Sequence, residues 1–208
     1  MNIEQLFENN KQWIAEQLKN DSDYFNKLAS GQAPKILYIG CSDSRVTAEE
    51  IIGLKPGEAF VHRNVANLVN NVDLNVMSVI NYAVEHLKVE HVIVCGHYNC
   101  GGVKAAMQSA DMGILNPWLR NIRDAYRLNK DELNAIEDID QRYDRLVEVN
   151  VNEQCINVLK TAVVQRAVRE RGLTVHGWVF DLRDGQVKDL NIDFQQHLEA
   201  IREIYRLD

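Results

Sequence analysis

The chain has 208 residues, of which 46% are hydrophobic and 25% charged, and its formal net charge is −7. That length supports a sizeable core, and we expect a single domain over 1–208 with a helical arm at 1–30. The acidic balance argues against a nucleic-acid partner gripped through its phosphates, and no stretch is long and apolar enough to span a bilayer, so neither nucleic acid nor membrane is expected as a partner.

The N-terminus, Met1-Asn2-Ile3-Glu4-Gln5, lacks a basic flank and a following apolar core, which argues against a secretory signal in the chain as given. Ile3, Leu6, Phe7, Trp13, Ile14 and Leu18 recur at roughly helical spacing and predict an amphipathic helix over 3–18. This helix precedes the first strand, so its apolar face needs cover from this domain or from another subunit. A loop over 30–34 leads to an apolar run at 36–39, read as a buried strand and followed by Cys41-Ser42-Asp43-Ser44-Arg45. Thr47-Ala48-Glu49-Glu50 fits a capping box and predicts a short helix. A strand is expected over 59–61 and a helix, apolar over much of its circumference, over 73–87. The strand at 91–95 leads into His97-Tyr98-Asn99-Cys100-Gly101-Gly102. Helices are expected over 103–109, over 117–128 and through much of 138–171. Residues 174–180 alternate like a strand, Asp184-Gly185 signals a hairpin, 186–190 would return, and a helix over 193–205 closes the chain. Strand–helix alternation predicts an α/β fold: a mainly parallel central sheet flanked by helices, with an antiparallel edge strand.

Two of these segments bear chemistry. Each follows a buried strand, and residues just past the carboxyl ends of parallel strands meet in one crevice. Cys41, His97 and Cys100 would then form a two-thiol, one-imidazole set that suits zinc, with a fourth position open as in catalytic sites. His97 and Cys100 are three apart in a glycine-rich turn, which lets both converge on one ion. Asp43 and Arg45 would lie on one side of a locally extended segment. The carboxylate would accept a hydrogen bond from metal-bound water, and the guanidinium would keep it ionised. Two thiolates and a neutral imidazole cancel the charge of Zn²⁺, so activity is expected to rise toward alkaline pH. A rival arrangement makes Cys41 a nucleophile with His97 as its base, but it leaves Cys100 without a task. Cys95 and Cys155 read as small buried hydrophobes. Four cysteines in a chain with an ample core need no pairing, so a reduced, cytoplasmic protein is expected.

At these residues the sequence resembles the β-class carbonic anhydrases. The resemblance covers nearly the whole chain and rests on three blocks in order: Cys41-Ser42-Asp43-Ser44-Arg45-Val46; Pro56-Gly57-Glu58-Ala59-Phe60 with Arg63-Asn64-Val65-Ala66-Asn67; and Gly96-His97 through Cys100-Gly101-Gly102. It implies reversible hydration of CO₂ to bicarbonate and a proton by a zinc-bound hydroxide, with one Zn²⁺ per subunit on Cys41, His97 and Cys100 beside an Asp43–Arg45 catalytic pair. It implies a substrate pocket of Gln32, Phe60, Val65, Tyr82 and Gly101, shared across a dimer interface in a homodimer or homotetramer. The N-terminal helix would pack on the partner subunit. Tyr82 is a candidate proton shuttle. Some members bind bicarbonate at a second site through Trp, Arg and Tyr. The matching positions here are Tyr38, Arg63 and Phe180, where only the arginine agrees, so that site is not expected to work in the same way. Hydrolysis of COS or CS₂ at the same centre, a non-catalytic zinc protein closed by Asp43, and a metal-free scaffold are the alternatives.

Overall fold

The structure, a computed structural model, describes residues 2–207. Those residues form two compact units, one ending at Ala33 and one beginning at Pro34.

The first unit is a helical pair, α1 (Ile3–Asn20) and α2 (Tyr24–Ala29). The Asn2 side chain caps α1 by accepting from the Glu4 amide. Trp13 meets Tyr24 and Phe25 edge to face, at centroid distances of 6.2 and 5.5 Å, and these rings account for a second helix that apolar periodicity alone did not predict. No residue of α1 is buried; Ile3 and Phe7 are 67% and 66% exposed.

The second unit is built on a five-stranded sheet in the order β2-β1-β3-β4-β5. Its strands are β1 (Ile36–Cys41), β2 (Ala59–Asn64), β3 (His91–His97), β4 (Thr174–Phe180) and β5 (Val187–Asp189). The first four run parallel and β5 pairs antiparallel with β4, as the hairpin signal predicts. At their carboxyl ends β1 and β3 are longer than the sequence suggests, with β1 reaching Cys41 and β3 reaching His97. Between the strands lie α3 (Ala48–Ile52), α4 (Leu74–Asn81), α5 (Gly101–Met107), α6 (Leu115–Leu128), α7 (Lys130–Ala135), α8 (Ile139–Leu159) and α9 (Ala162–Arg171), and α10 (Phe194–Ile204) closes the fold.

Alternation along the strands divides the core into two layers. Leu37, Ile39, Val92, Val94, Val175 and Val179 face the large core, which includes Val151 and Cys155 of α8. Tyr38, Ile93, Cys95 and Phe180 face a small core with Val46 and Ala48, rimmed by half-buried Ile36, Val61, Trp178 and Val187. Cys95 and Cys155 are buried in these layers as expected. The helix expected over 73–87 changes character at its end: Tyr82–His86 widens into a π-turn, closed by the Leu87 amide on the Tyr82 carbonyl. Such turns are often found at functional sites.

Candidate metal centre

β1 and β3 are neighbours running in the same direction, while β2 lies on the far side of β1. The chain therefore reverses its progress across the sheet between these two strands, and in open α/β sheets that is where a crevice opens at the carboxyl ends. Cys41 ends β1 and His97 ends β3. Asn99 turns the chain with a left-handed φ of 59°, which delivers Cys100 to the start of α5. The ligand atoms of Cys41, His97 and Cys100 all lie within 4.8 Å of one another, and all three residues are buried. The two sulfurs are 3.9 Å apart. Two thiolates on a tetrahedral zinc with bonds of about 2.3 Å would be about 3.8 Å apart.

The Nδ1 of His97 lies 3.0 Å from the Tyr98 carbonyl. A carbonyl can only accept, so Nδ1 carries the hydrogen and Nε2 presents its lone pair. That Nε2 is buried and has no hydrogen-bond partner among the described residues, an arrangement a coordinated cation would satisfy. The Cys100 thiol, followed by His97 and the Ala66 and Asp43 amides, pulls Cys41 below the ordinary thiol range. The same sulfur contact, reinforced by burial, pushes Cys100 up. A divalent cation bound between the two sulfurs would favour their deprotonated forms. Donor types, spacing and the orphaned nitrogen fit zinc.

Asp43 and Arg45 are paired as expected, but by another geometry. The segment is not extended: Val46 N–H donates to the Asp43 carbonyl and the Arg45 amide donates to Asp43 Oδ1, forming a tight turn. Asx turns bring residues i and i+2 together in this way. Arg45 Nε and Nη2 then reach Oδ1 and Oδ2 at 2.9 and 2.7 Å. The guanidinium holds the carboxyl well below the usual carboxylate range. Oδ2 lies 3.7 Å from His97 Nε2, so the carboxylate borders the ligand set while remaining on its arginine. The expected capping box at Thr47 is also altered: its hydroxyl donates to the Glu50 carboxylate at 2.7 Å and makes no bond to the helix backbone.

Three features of this site went unread in the sequence. Arg63 Nε donates to the Cys41 carbonyl at 2.8 Å, and its Nη2 donates to the carbonyls of Asp43 and Val46 at 2.6 and 2.7 Å. The arginine that matched the second bicarbonate site is thus bonded to the loop that carries the Asp43–Arg45 pair. A 3₁₀ turn, Val65–Asn67, holds Ala66 and Asn67 at left-handed φ of 64° and 49°. Buried Asn150 donates to the Ala66 carbonyl, and Gln154 accepts from the Val69 amide. The available signal was two amide side chains within the apolar stretch of α8.

Of the residues expected to line the pocket, Phe60 and Tyr82 pack together with ring centroids 5.6 Å apart. Tyr82 opens the π-turn and is 47% exposed, and Val65 is 38% exposed. Gly101 begins α5 with open space where a Cβ would stand, whereas a Cβ on Gly102 would lie 2.9 Å from Val65 Cγ1. Glycine at 102 therefore lets α5 approach the 3₁₀ turn. Gln32 belongs to the first unit, in the loop after α2, with its side chain exposed. Tyr38, Arg63 and Phe180 are buried or half-buried, and the Tyr38 hydroxyl has no hydrogen-bond partner among the described residues.

The sequence profile described as carbonic anhydrase matches residues 36–187. The chain is 62% identical over 205 residues to a carbonic anhydrase of Emericella nidulans, covering 98% of this chain and 90% of that protein. It superposes on the β-carbonic anhydrase CafA of Aspergillus fumigatus with a TM-score of 0.92 at 39% identity, covering 99% of each chain. A tetrameric β-carbonic anhydrase of Sordaria macrospora matches at a TM-score of 0.88 and 40% identity, covering 91% of this chain and 96% of that one. The chain belongs to the β-class carbonic anhydrases. Its fold and enzyme class are those the sequence motifs imply. No described helix is long and apolar enough to cross a membrane.

Proposed function

We propose that Cys41, His97 and Cys100 hold one zinc ion per subunit and that the site hydrates CO₂ reversibly to bicarbonate and a proton. The observation that carries this reading is the buried, unpartnered His97 Nε2 set among two sulfurs and the Asp43 carboxylate. When bound, zinc acidifies a water and polarises it for attack on carbon. Asp43 Oδ2, 3.7 Å from His97 Nε2, is placed to accept a hydrogen bond from the attacking water and so would orient its lone pair. Arg45 keeps the carboxylate ionised, and Arg63 fixes the turn that presents it. Phe60, Val65 and Tyr82 supply an apolar wall suited to nonpolar CO₂. The Gly101 amide and, across a dimer interface, the Gln32 amide donate to the developing bicarbonate oxygens. Retention of Asp43 on Arg45 favours the open enzyme over a four-ligand structural site.

The exposed apolar face of α1 supports a homodimer or homotetramer in which the arm, residues 1–30 of an otherwise single domain, packs on the partner. The four free, buried cysteines fit a reducing compartment, and we place the protein in the cytoplasm. The decisive experiment combines elemental analysis with stopped-flow CO₂ hydration. One zinc per chain is expected, with loss of metal and turnover in Cys100→Ser. Full activity after exhaustive chelation would overturn the assignment.

A further inference from the structure

A cleft of about 460 Å³ lies among α5, α6, the start of α7 and α8, and none of its lining residues belongs to the Cys41 loop or to the His97 to Cys100 turn. Its lining carries Arg123, Arg127, Lys130 and Arg142 and no carboxylate, although the chain as a whole is acidic. Arg127 pairs with Asp124 outside the lining, Nε to Oδ1 at 3.3 Å. The other three cations make no ion pair with any described residue. Arg123 Nε donates to the Ala106 carbonyl at 3.0 Å, and Arg142 donates through Nε and Nη2 to the Ile136 carbonyl. These bonds fix both half-buried guanidiniums in place without neutralising them. Ile122 and Leu146 give the cleft an apolar floor, and Tyr126 and Tyr143 add aromatic faces.

Half-buried cations without a counter-charge are costly unless an anion meets them. Guanidinium forks match a carboxylate in two-point geometry. Fixed cations above an apolar, aromatic floor select a ligand with one anionic end and one flat apolar body, and the volume suits a small organic molecule. We propose that this cleft binds an aromatic monocarboxylate. The inference is independent of the metal assignment.

The test is a fluorescence titration of the intact, zinc-loaded protein with 2-naphthoate, in saturating azide to occupy the metal. Saturable binding is expected. Arg142→Gln, Arg123→Gln and the neutral 2-naphthamide should each weaken it about tenfold or more, the loss of a charge-assisted bond. Because Arg123 and Arg142 also hold carbonyls, Lys130→Gln, at an exposed position, provides a variant with little structural risk and should weaken binding with an unchanged Tm. Absence of saturable binding, equal affinity in all three variants, abolition by azide, or competition by inorganic phosphate at the affinity of the naphthoate would each overturn the proposal.

Discussion

Individual side chains make the sharpest statements. Asp43 is held on Arg45 by three hydrogen bonds, counting that of the Arg45 amide, so Asp43→Asn preserves shape and removes the charge. We expect the variant to retain zinc and to lose turnover by about a hundredfold, the scale of one positioned proton-handling group; near-normal hydration rates would remove Asp43 from the chemistry. His62 bears on stability instead. It is 7% exposed, and its Nε2 accepts from the Asn64 amide, so the ring is neutral. Burial lowers its proton affinity. Below a pH of about 6.5 the unfolded chain takes up a proton that the folded ring refuses, so stability falls as pH falls. The drop in Tm between neutral and mildly acidic pH should shrink in His62→Gln, and an unchanged drop would acquit this histidine. The cluster of Cys41, His97 and Cys100 was legible in the sequence because scarce, reactive residues directly follow apolar strands. Arg63 was not, because its partners are backbone carbonyls, which leave no trace in side-chain patterns.

At the level of elements, the centre depends on close approach between β3 and α8. A Cβ at Gly96 would lie 2.7 Å from Val151 Cγ2 and 3.3 Å from Val147 Cγ1. Gly96→Ala must therefore push the strand off the helix next to His97. The expected cost is roughly 1–3 kcal/mol in urea unfolding, typical of overpacking, together with reduced zinc occupancy; unchanged values for both would show that the layers relax freely. Long periodic elements were readable from their apolar spacing: α6 buries Leu119, Ile122 and Ala125 along one face, and α1 carries a matching stripe that stays exposed in this chain. The left-handed turn at Ala66 and the π-turn at Tyr82 were not. Each departs from regular backbone because of tertiary contacts, and no local composition marks them. The Asx turn at Asp43 was misread as extended for a related reason: an alternation of two residues is compatible with both shapes.

For the whole molecule, the exposed stripe of α1 makes assembly testable. Ile3, Phe7 and Leu18 are 67%, 66% and 42% exposed, an arrangement that single soluble chains seldom leave in water. Deleting residues 2–30 should reduce the sedimenting species to a smaller oligomer and lower activity, since Gln32 would lose its ordered approach. An unchanged sedimentation coefficient per chain would show that the arm does not join subunits.

The strand order has a consequence for how the protein is made. Cys41 and Cys100 stand 59 positions apart, and they meet only once β1 and β3 lie side by side. His97 and Cys100 are close enough along the backbone to hold a cation loosely in a nascent chain, yet the third donor comes only with the finished topology. On the proposed zinc assignment, metal would therefore act as a late lock on the assembled sheet rather than as a seed for it.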